Sequence, residues 1–264
     1  MEDKKIRSIY LHDASAVATS GRIVSPFEDL IPAQAALALP VSGGYGSARV
    51  DGFRYKEILS FGSAYTEVAG GGGGKDGPFE TLAVAAVENL NILDIVTCER
   101  MVARIASTHP VDGKEPSISI LGSRFERLRV GNYFWDELVL GVGAIADCST
   151  WSKLQNALGN GDTREQLKRL AMPAPNGDPV ALPDEQHMPN VVGFSLCSAA
   201  GKSSDEVDVP ARIYFPEFGT VHLGQLFVYQ YTRQLLMLRV DLGCPVKGGI
   251  QTAGGKSGGN PYPP

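Results

Sequence analysis

Three six-residue segments in the first half of the chain share one pattern of apolar and polar positions. They begin at residues 50, 87 and 125, a period of 37 to 38 residues, and read apolar, acidic, small or polar, apolar, polar, apolar. In a strand the fourth and sixth positions face one side and the polar fifth position faces the other. The first apolar position falls on the opposite side from the fourth. A bend or bulge near Gly52 or Asn89 is therefore predicted, because it would bury all three apolar positions.

A second apolar piece follows each hexad, at 64–69, 101–106 and 139–144, and a looser fourth pair lies at 218–223 and 236–241. Each unit predicts two strands with a short connection, rich in β-branched and aromatic residues. The shared period favours tandem duplication, although regularly spaced β-turns could give a similar pattern. The predicted fold class is mainly β, with repeated two-strand units forming a β-sandwich or a short β-solenoid.

The pattern becomes helical after about residue 148. Apolar residues at 151, 154 and 158 recur at helical spacing, Gly159 and Gly161 break the chain, and Asp162 offers an N-cap with Gln166 completing a capping box. Leu167 and Leu170 continue the apolar face. These features predict a helical hairpin inserted at about 149–172.

The remaining segments define the predicted domain organisation. A Pro-rich connection without periodicity spans 172–190, and one β-rich domain covers 1–246. Residues 247–264 are rich in glycine and proline, so we predict a flexible tail that stays outside the core.

Two blocks of the chain resemble a known family. One runs from Thr81 to Thr97 and continues at Gly122-Ser-Arg-Phe125, and the other covers Ile213 to Leu223, with a strand ending at Val240. Both are similar to segments of bacterial β-rich proteins described as the choice-of-anchor P family. The resemblance implies an all-β fold and no reaction, because the matching motifs are structural. Such proteins usually carry an export signal and a wall or membrane anchor.

Composition and charge exclude several classes of protein. The chain has 264 residues, of which 43% are hydrophobic, and this fraction rules out wholesale disorder. Lys and Arg number 24 against 29 Asp and Glu, so a nucleic-acid partner or an anionic membrane is not expected. No apolar run is long enough for a membrane-spanning helix. The charged start predicts a cytoplasmic protein, or a surface or secreted one if a signal was removed.

Residues that often hold metals or cofactors show no recognisable spacing. The four cysteines are far apart, and we expect them to be reduced and buried. The four histidines show no ligand spacing, so neither a metal nor a cofactor is predicted. These residues are Cys98, Cys148, Cys197 and Cys244, and His12, His109, His187 and His222.

One segment mixes arginines with aromatic residues and acids. A surface that stacks on bases or sugars has this composition, but so does an ordinary strand face with an aromatic edge. The interpretation of an ordinary strand face is preferred, and a ligand surface is the alternative. If a ligand surface exists, the candidate residues are Arg127, Arg129, Tyr133, Trp135, Asp136 and Glu137.

The sequence leads to two functional hypotheses. The first is a non-catalytic structural or binding protein, whose sheet edges and loops contact another copy of itself or another protein. The second is a carbohydrate-active enzyme or glycan-binding module that uses Asp136, Glu137 and Glu217 near the aromatic residues. Adjacent acids on a strand point apart, so Asp136 and Glu137 cannot form the facing pair that glycoside hydrolysis needs.

Overall fold

The computed structural model describes residues 9–73, 77–111, 114–141, 143–159, 161–172, 192–197 and 211–262. Sixteen strands and three helices lie in these ranges. The strands are β1 (Ile9–His12), β2 (Ser15–Ser25), β3 (Asp29–Gln34), β4 (Leu37–Ala38), β5 (Gly44–Tyr55), β6 (Leu59–Gly72), β7 (Phe79–Ile92), β8 (Val96–His109), β9 (Ser117–Ser119), β10 (Arg124–Val130), β11 (Tyr133–Val139), β12 (Val192–Ser195), β13 (Arg212–Phe215), β14 (Gly219–Val228), β15 (Thr232–Leu242) and β16 (Lys247–Tyr262). The helices are α1 (Gly143–Ala146), α2 (Trp151–Gly159) and α3 (Gly161–Leu170).

The strands form two antiparallel sheets. A seven-stranded sheet has the order β11-β10-β8-β7-β6-β5, with β9 beside β8. A nine-stranded sheet has the order β12-β14-β15-β16-β2-β3, with β1 beside β16, β13 beside β14 and β4 beside β2. The prediction of a mainly β protein is confirmed, and of the two predicted architectures the structure has the sandwich.

The two sheets pack face to face along their central strands. β16 and β15 lie against β7 and β8, and their inward side chains form one apolar core. The sheets approach closely at Gly255, where an added Cβ would lie 3.2 Å from Ile105 Cγ2. A hydroxyl cluster also bridges the sheets, with Thr81 Oγ1 2.7 Å from Ser257 Oγ, and Ser257 Oγ 3.2 Å from Ser107 Oγ. Because each hydroxyl has a partner, these polar groups are buried without a large desolvation cost.

The three hexads occupy equivalent places in the seven-stranded sheet. Each lies at the end of the first strand of a hairpin, in β5, β7 and β10. The third hexad residue adopts a left-handed backbone in every copy, with φ of 67° at Gly52, 54° at Asn89 and 49° at Arg127. This kink brings the first, fourth and sixth positions to the core face, so that they are buried in the second and third copies and half-buried in the first. The predicted bend is confirmed.

The kinks align in a transverse row across the sheet. The strand register places Gly52, Gly62, Asn89, Glu99, Arg127 and Asp136 side by side, from β5 to β11. Within this line left-handed residues occur on alternate strands only, so a strand that is kinked here always pairs with one that is not. We call this line the kink row. The nine-stranded sheet has a similar arrangement, with left-handed residues at Gly224 in β14 and Ala253 in β16, on either side of β15.

The helices confirm the predicted hairpin. Helices α2 and α3 end and begin around Gly159 and Gly161, as the pattern indicated. Their apolar stripes are buried, at Leu154, Leu158 and Leu167 among others. The Pro-rich connection at 172–190 lies almost entirely outside the described residues. None of the helices in the described part of the chain has the length and apolar content needed to cross a lipid bilayer.

Three predictions about the strands are wrong. Residues 247–262 form β16, the longest of the described strands, which pairs with both β15 and β2 in the middle of the nine-stranded sheet. Glycine there indicates close packing and not a flexible tail. In the third unit the second strand is Tyr133–Val139 and not 139–144, because a two-residue turn follows Val130 and α1 occupies residues 143–146. The fourth hexad begins β14 and does not end a strand, so it is not equivalent to the other three.

Candidate functional site

All six candidate ligand-binding residues lie in the hairpin of β10 and β11. β11 is the last strand of the seven-stranded sheet, and within the described residues it pairs with β10 alone. The candidate site is therefore a sheet edge. At the opposite end of the same sheet, β5 pairs with β6 alone among the described strands and forms the second edge.

The two aromatic candidates differ in their exposure. Trp135 is only 3% exposed and packs in the core opposite Leu128. Tyr133 is 41% exposed and stacks on the indole, with ring centroids 5.9 Å apart. The interpretation of Trp135 as part of an exposed stacking surface is wrong, because the phase of β11 directs its ring between the sheets.

The two candidate arginines already have partners. Arg127 Nη1 donates to Glu99 Oε2 at 2.8 Å, and Arg127 Nε lies 3.9 Å from Asp136 Oδ1. Arg129 Nη2 donates to the Asp94 carbonyl oxygen at 2.7 Å. These contacts tie neighbouring strands together at and beside the kink row. Exposed pairs of this kind contribute little to stability, but they leave less positive charge for a ligand.

The candidate carboxylates do not converge. Asp136 lies in the kink row beside Arg127, and Glu137 is opposite Glu126, whose carboxylate accepts a 2.7 Å hydrogen bond from Arg124 Nε. Glu217 lies in the turn between β13 and β14, in the other sheet. The arrangement gives no facing pair of acids of the kind that glycoside hydrolysis uses.

The exposed apolar residues of this edge are not among the six candidates, although Phe134 belongs to the same aromatic segment. Phe134 is 58% exposed and Val139 is 52% exposed, and both point away from the core on β11. The pattern of β11 carries a signal for Phe134 once the strand is placed, because its neighbour Trp135 is buried and adjacent residues of a strand face opposite sides. On the β5 edge the outward positions 49 and 54 are arginines, and the inward positions 50, 53 and 55 are half-buried.

Of the four cysteines, Cys98, Cys148 and Cys197 are buried as predicted, whereas Cys244 is exposed, so the prediction of a buried thiol is wrong there. Burial raises the pKa of the Cys98 thiol to about 12, and it also raises the pKa of Cys148 and Cys197, so these three thiols are poor nucleophiles near neutral pH. The part of the chain that the structure describes contains no group of three or more His, Cys, Asp or Glu side chains positioned to hold a metal ion.

A buried aromatic cluster contains two histidines. The Tyr10 ring stacks on Phe79 with centroids 4.6 Å apart, and it contacts His12 at 4.8 Å and His109 at 5.0 Å. His12 is 5% exposed, and burial lowers its pKa below the ordinary value of 6.5. The neighbouring charges are Asp13 and Lys256, which form an ion pair at 2.6 Å.

This pKa shift predicts a pH-dependent stability. In the unfolded chain His12 binds a proton near pH 6.5, whereas in the folded chain it does so only at lower pH. As the pH falls, His12 therefore becomes protonated in the unfolded state before it does in the folded state. The free energy of unfolding keeps its highest value above pH 6.5 and decreases below it. Urea unfolding between about pH 8 and pH 5 measures this loss. We expect a smaller loss in His12→Gln, and an identical pH dependence in both chains would contradict the assignment.

With the edge geometry known, the chain can be compared with known proteins. Residues 10–137 match a family model described as a domain of unknown function, DUF8256. The DUF8256 match covers just under half of the chain and includes the seven-stranded sheet except the last two residues of β11, Leu138 and Val139. No curated protein and no solved structure matches the chain. These comparisons do not test the resemblance to the choice-of-anchor P family, which stays a prediction.

Proposed function

We propose that this protein is a non-catalytic structural protein that associates with copies of itself, by pairing the β11 edge of one copy with the β5 edge of the next. The observation that carries the proposal is the kink row, which ends at Asp136 on β11 and at Gly52 on β5. Both edges belong to one sheet and lie at its opposite ends. Such a head-to-tail contact leaves a free edge at each end, so it produces open chains of molecules.

The alternation of kinks supports this order of strands. From β5 to β11 the strands alternate between kinked and unkinked and between the two directions. β11 is unkinked, so the next strand that continues the pattern is kinked and antiparallel to it. β5 has both properties. Placing Gly52 opposite Asp136 of the neighbouring copy makes the kink row continuous.

The side chains at this register support the pairing. On the core face, Val50, Phe53 and Tyr55 come opposite Leu138, Trp135 and Tyr133 of the neighbouring copy. Within the chain, β11 presents the same three residues to the equivalent hexad positions of β10. The second edge of β11 would therefore meet the same type of strand as the first edge. Cross-strand apolar pairs of this kind stabilise a sheet.

On the outer face the same register places Arg54 opposite Phe134 and Arg49 opposite Val139 of the neighbouring copy. In the single chain these arginines form ion pairs with nearby acids, Arg49 with Asp51 at 2.9 Å and Arg54 with Glu57. Arginine over an aromatic ring is a favourable contact. One pair is unfavourable, because Glu137 comes opposite Asp51.

Sedimentation velocity over a range of concentrations tests the proposal. Since one edge contact is small, we expect weak association with a Kd of roughly 10 µM to 1 mM, and a series of oligomers that lengthens with concentration. A single species of monomer mass throughout this range would overturn the proposal. A dimer that does not grow would indicate a closed two-fold contact and would overturn the head-to-tail order.

Charged substitutions on the β11 edge give a sharper prediction. Phe134→Lys with Val139→Lys places positive charge opposite Arg54 and Arg49 and should weaken association. Phe134→Glu with Val139→Glu places negative charge there and should strengthen it, with a difference of roughly tenfold in the association constant between the two variants. Both residues are exposed, so the fold should tolerate either pair.

The matched variants separate this contact from general stickiness. If exposed apolar area alone drove association, lysine and glutamate would weaken it equally, and this result would contradict the register. Arg49→Glu with Arg54→Glu should restore association with the lysine variant when the two proteins are mixed. Glycan binding, the alternative hypothesis, lacks support from Trp135 because that ring is buried.

A further inference from the structure

A cleft lies between β9, α1 and the strands β14 and β15 of the nine-stranded sheet. Its volume is about 330 Å³, within the range of small-molecule sites. Isoleucine, leucine and serine side chains line it, together with one arginine, Arg233.

Arg233 brings a buried positive charge to this cleft. The residue is only 3% exposed. Nη1 donates to the carbonyl oxygens of Tyr229 and Thr232, the latter at 3.2 Å. Nη2 is buried and has no hydrogen-bond partner among the described residues. A buried guanidinium with an unused donor is costly unless an acceptor binds to it.

Burial lowers the pKa of Arg233 to about 10, so the side chain still carries its charge near neutral pH. The acid whose charge acts on it most is Glu115. Glu115 is engaged elsewhere, because Oε2 accepts from Ser152 N at 2.8 Å and Oε1 from Ser152 Oγ at 2.7 Å. The Glu115 carboxylate thus caps the N-terminus of α2. Arg233 therefore remains the cation available to an anion in the cleft.

The rest of the lining indicates the form of the ligand. Ile118, Ile120, Ile145 and Leu226 give the cleft an apolar wall, and Ser117, Ser119 and Ser149 add hydroxyl groups. The cleft has one arginine, and no other cation lines it among the described residues. A ligand that suits this lining has one negative charge and a compact apolar body.

We propose that the cleft binds a small monocarboxylate with an aliphatic or aromatic body, whose carboxylate accepts a hydrogen bond from Arg233 Nη2. The apolar body lies against the isoleucine and leucine side chains. A carboxylate suits the site because it carries a single charge and forms strong bonds with a guanidinium. This site is separate from the proposed self-association and does not depend on it.

Calorimetric titration of the full chain with hexanoate, octanoate and benzoate tests the proposal. We expect saturable binding of at least one of these acids, with 1:1 stoichiometry. The matching alcohols, hexanol, octanol and benzyl alcohol, should bind about tenfold or more weakly, because they lack the charge that Arg233 recognises. Sulfate and inorganic phosphate should also bind more weakly, since they leave the apolar wall unfilled. Equal binding of acids and alcohols, tighter binding of the inorganic anions, or no binding of any of the three acids would overturn the proposal.

Two variants keep the test independent of folding. Arg233→Gln removes the charge and should weaken carboxylate binding about tenfold or more, if its circular dichroism spectrum is that of the parent chain. Ala146→Phe places a ring into the cleft from an exposed rim position and should abolish binding without removing a buried group. Asp147→Phe adds the same ring one residue further on, outside the lining, and should bind normally. Undiminished binding in Ala146→Phe would overturn the assignment.

Discussion

A chain that ends at Val246 is expected not to fold. This truncation removes β16, which is hydrogen-bonded to β15 on one side and to β2 on the other, and also to β1. Buried residues such as Ile250 and Ala253 are lost with it, together with the close packing of Gly255 on the opposite sheet. We expect this loss to exceed the total stability of a typical domain, about 5 to 15 kcal/mol.

Circular dichroism and thermal unfolding of the truncated chain measure this effect. The matched control is a chain that ends at Tyr262, which keeps the whole of β16 and should melt like the full chain. A cooperative transition in the shorter chain, within a few degrees of the control, would show that β16 is not needed for the sandwich.

The second large effect is expected from Trp135→Ala. The indole is buried between the sheets and stacks on Tyr133, so its removal should lower the free energy of unfolding by about 3 to 5 kcal/mol. Phe134→Ala, one residue earlier, should change it by less than about 0.5 kcal/mol because Phe134 is exposed. Denaturant unfolding of both variants gives the comparison. Similar small changes in the two would mean that Trp135 is not in the core.

The hexads were predictable because their information is local. A strand alternates with period two, and the apolar first position breaks that alternation in each copy, so a kink at the third position follows from the sequence. Gly52 and Asn89 also tolerate a left-handed backbone better than most residues. Common ancestry of the units stays a prediction, since equivalent geometry can arise without it.

The errors came from places where distant contacts decide the structure. Residues 247–262 have the composition of a linker, yet they form a strand between two others. Gly255 suits that strand because it lies against Ile105 of the other sheet, where a larger side chain would be crowded. The sequence allows Trp135 in a ligand surface as the alternative to an ordinary strand face. The phase of β11 depends on the two-residue turn after Val130, which places Trp135 opposite the buried Leu128. Arg233 gave no signal, because an arginine in a strand is usually exposed.

The position of β16 also bears on the order of folding. In the seven-stranded sheet the hairpins follow one another along the chain, so its contacts can form early and locally. The nine-stranded sheet joins segments from opposite ends, as in the hydroxyl pair of Thr19 and Thr252, 233 residues apart. Closing so large a loop costs conformational entropy before the strand pairs that stabilise it have formed. This cost slows the assembly of the nine-stranded sheet. The seven-stranded sheet thus has the properties of a template on which the two ends of the chain later meet.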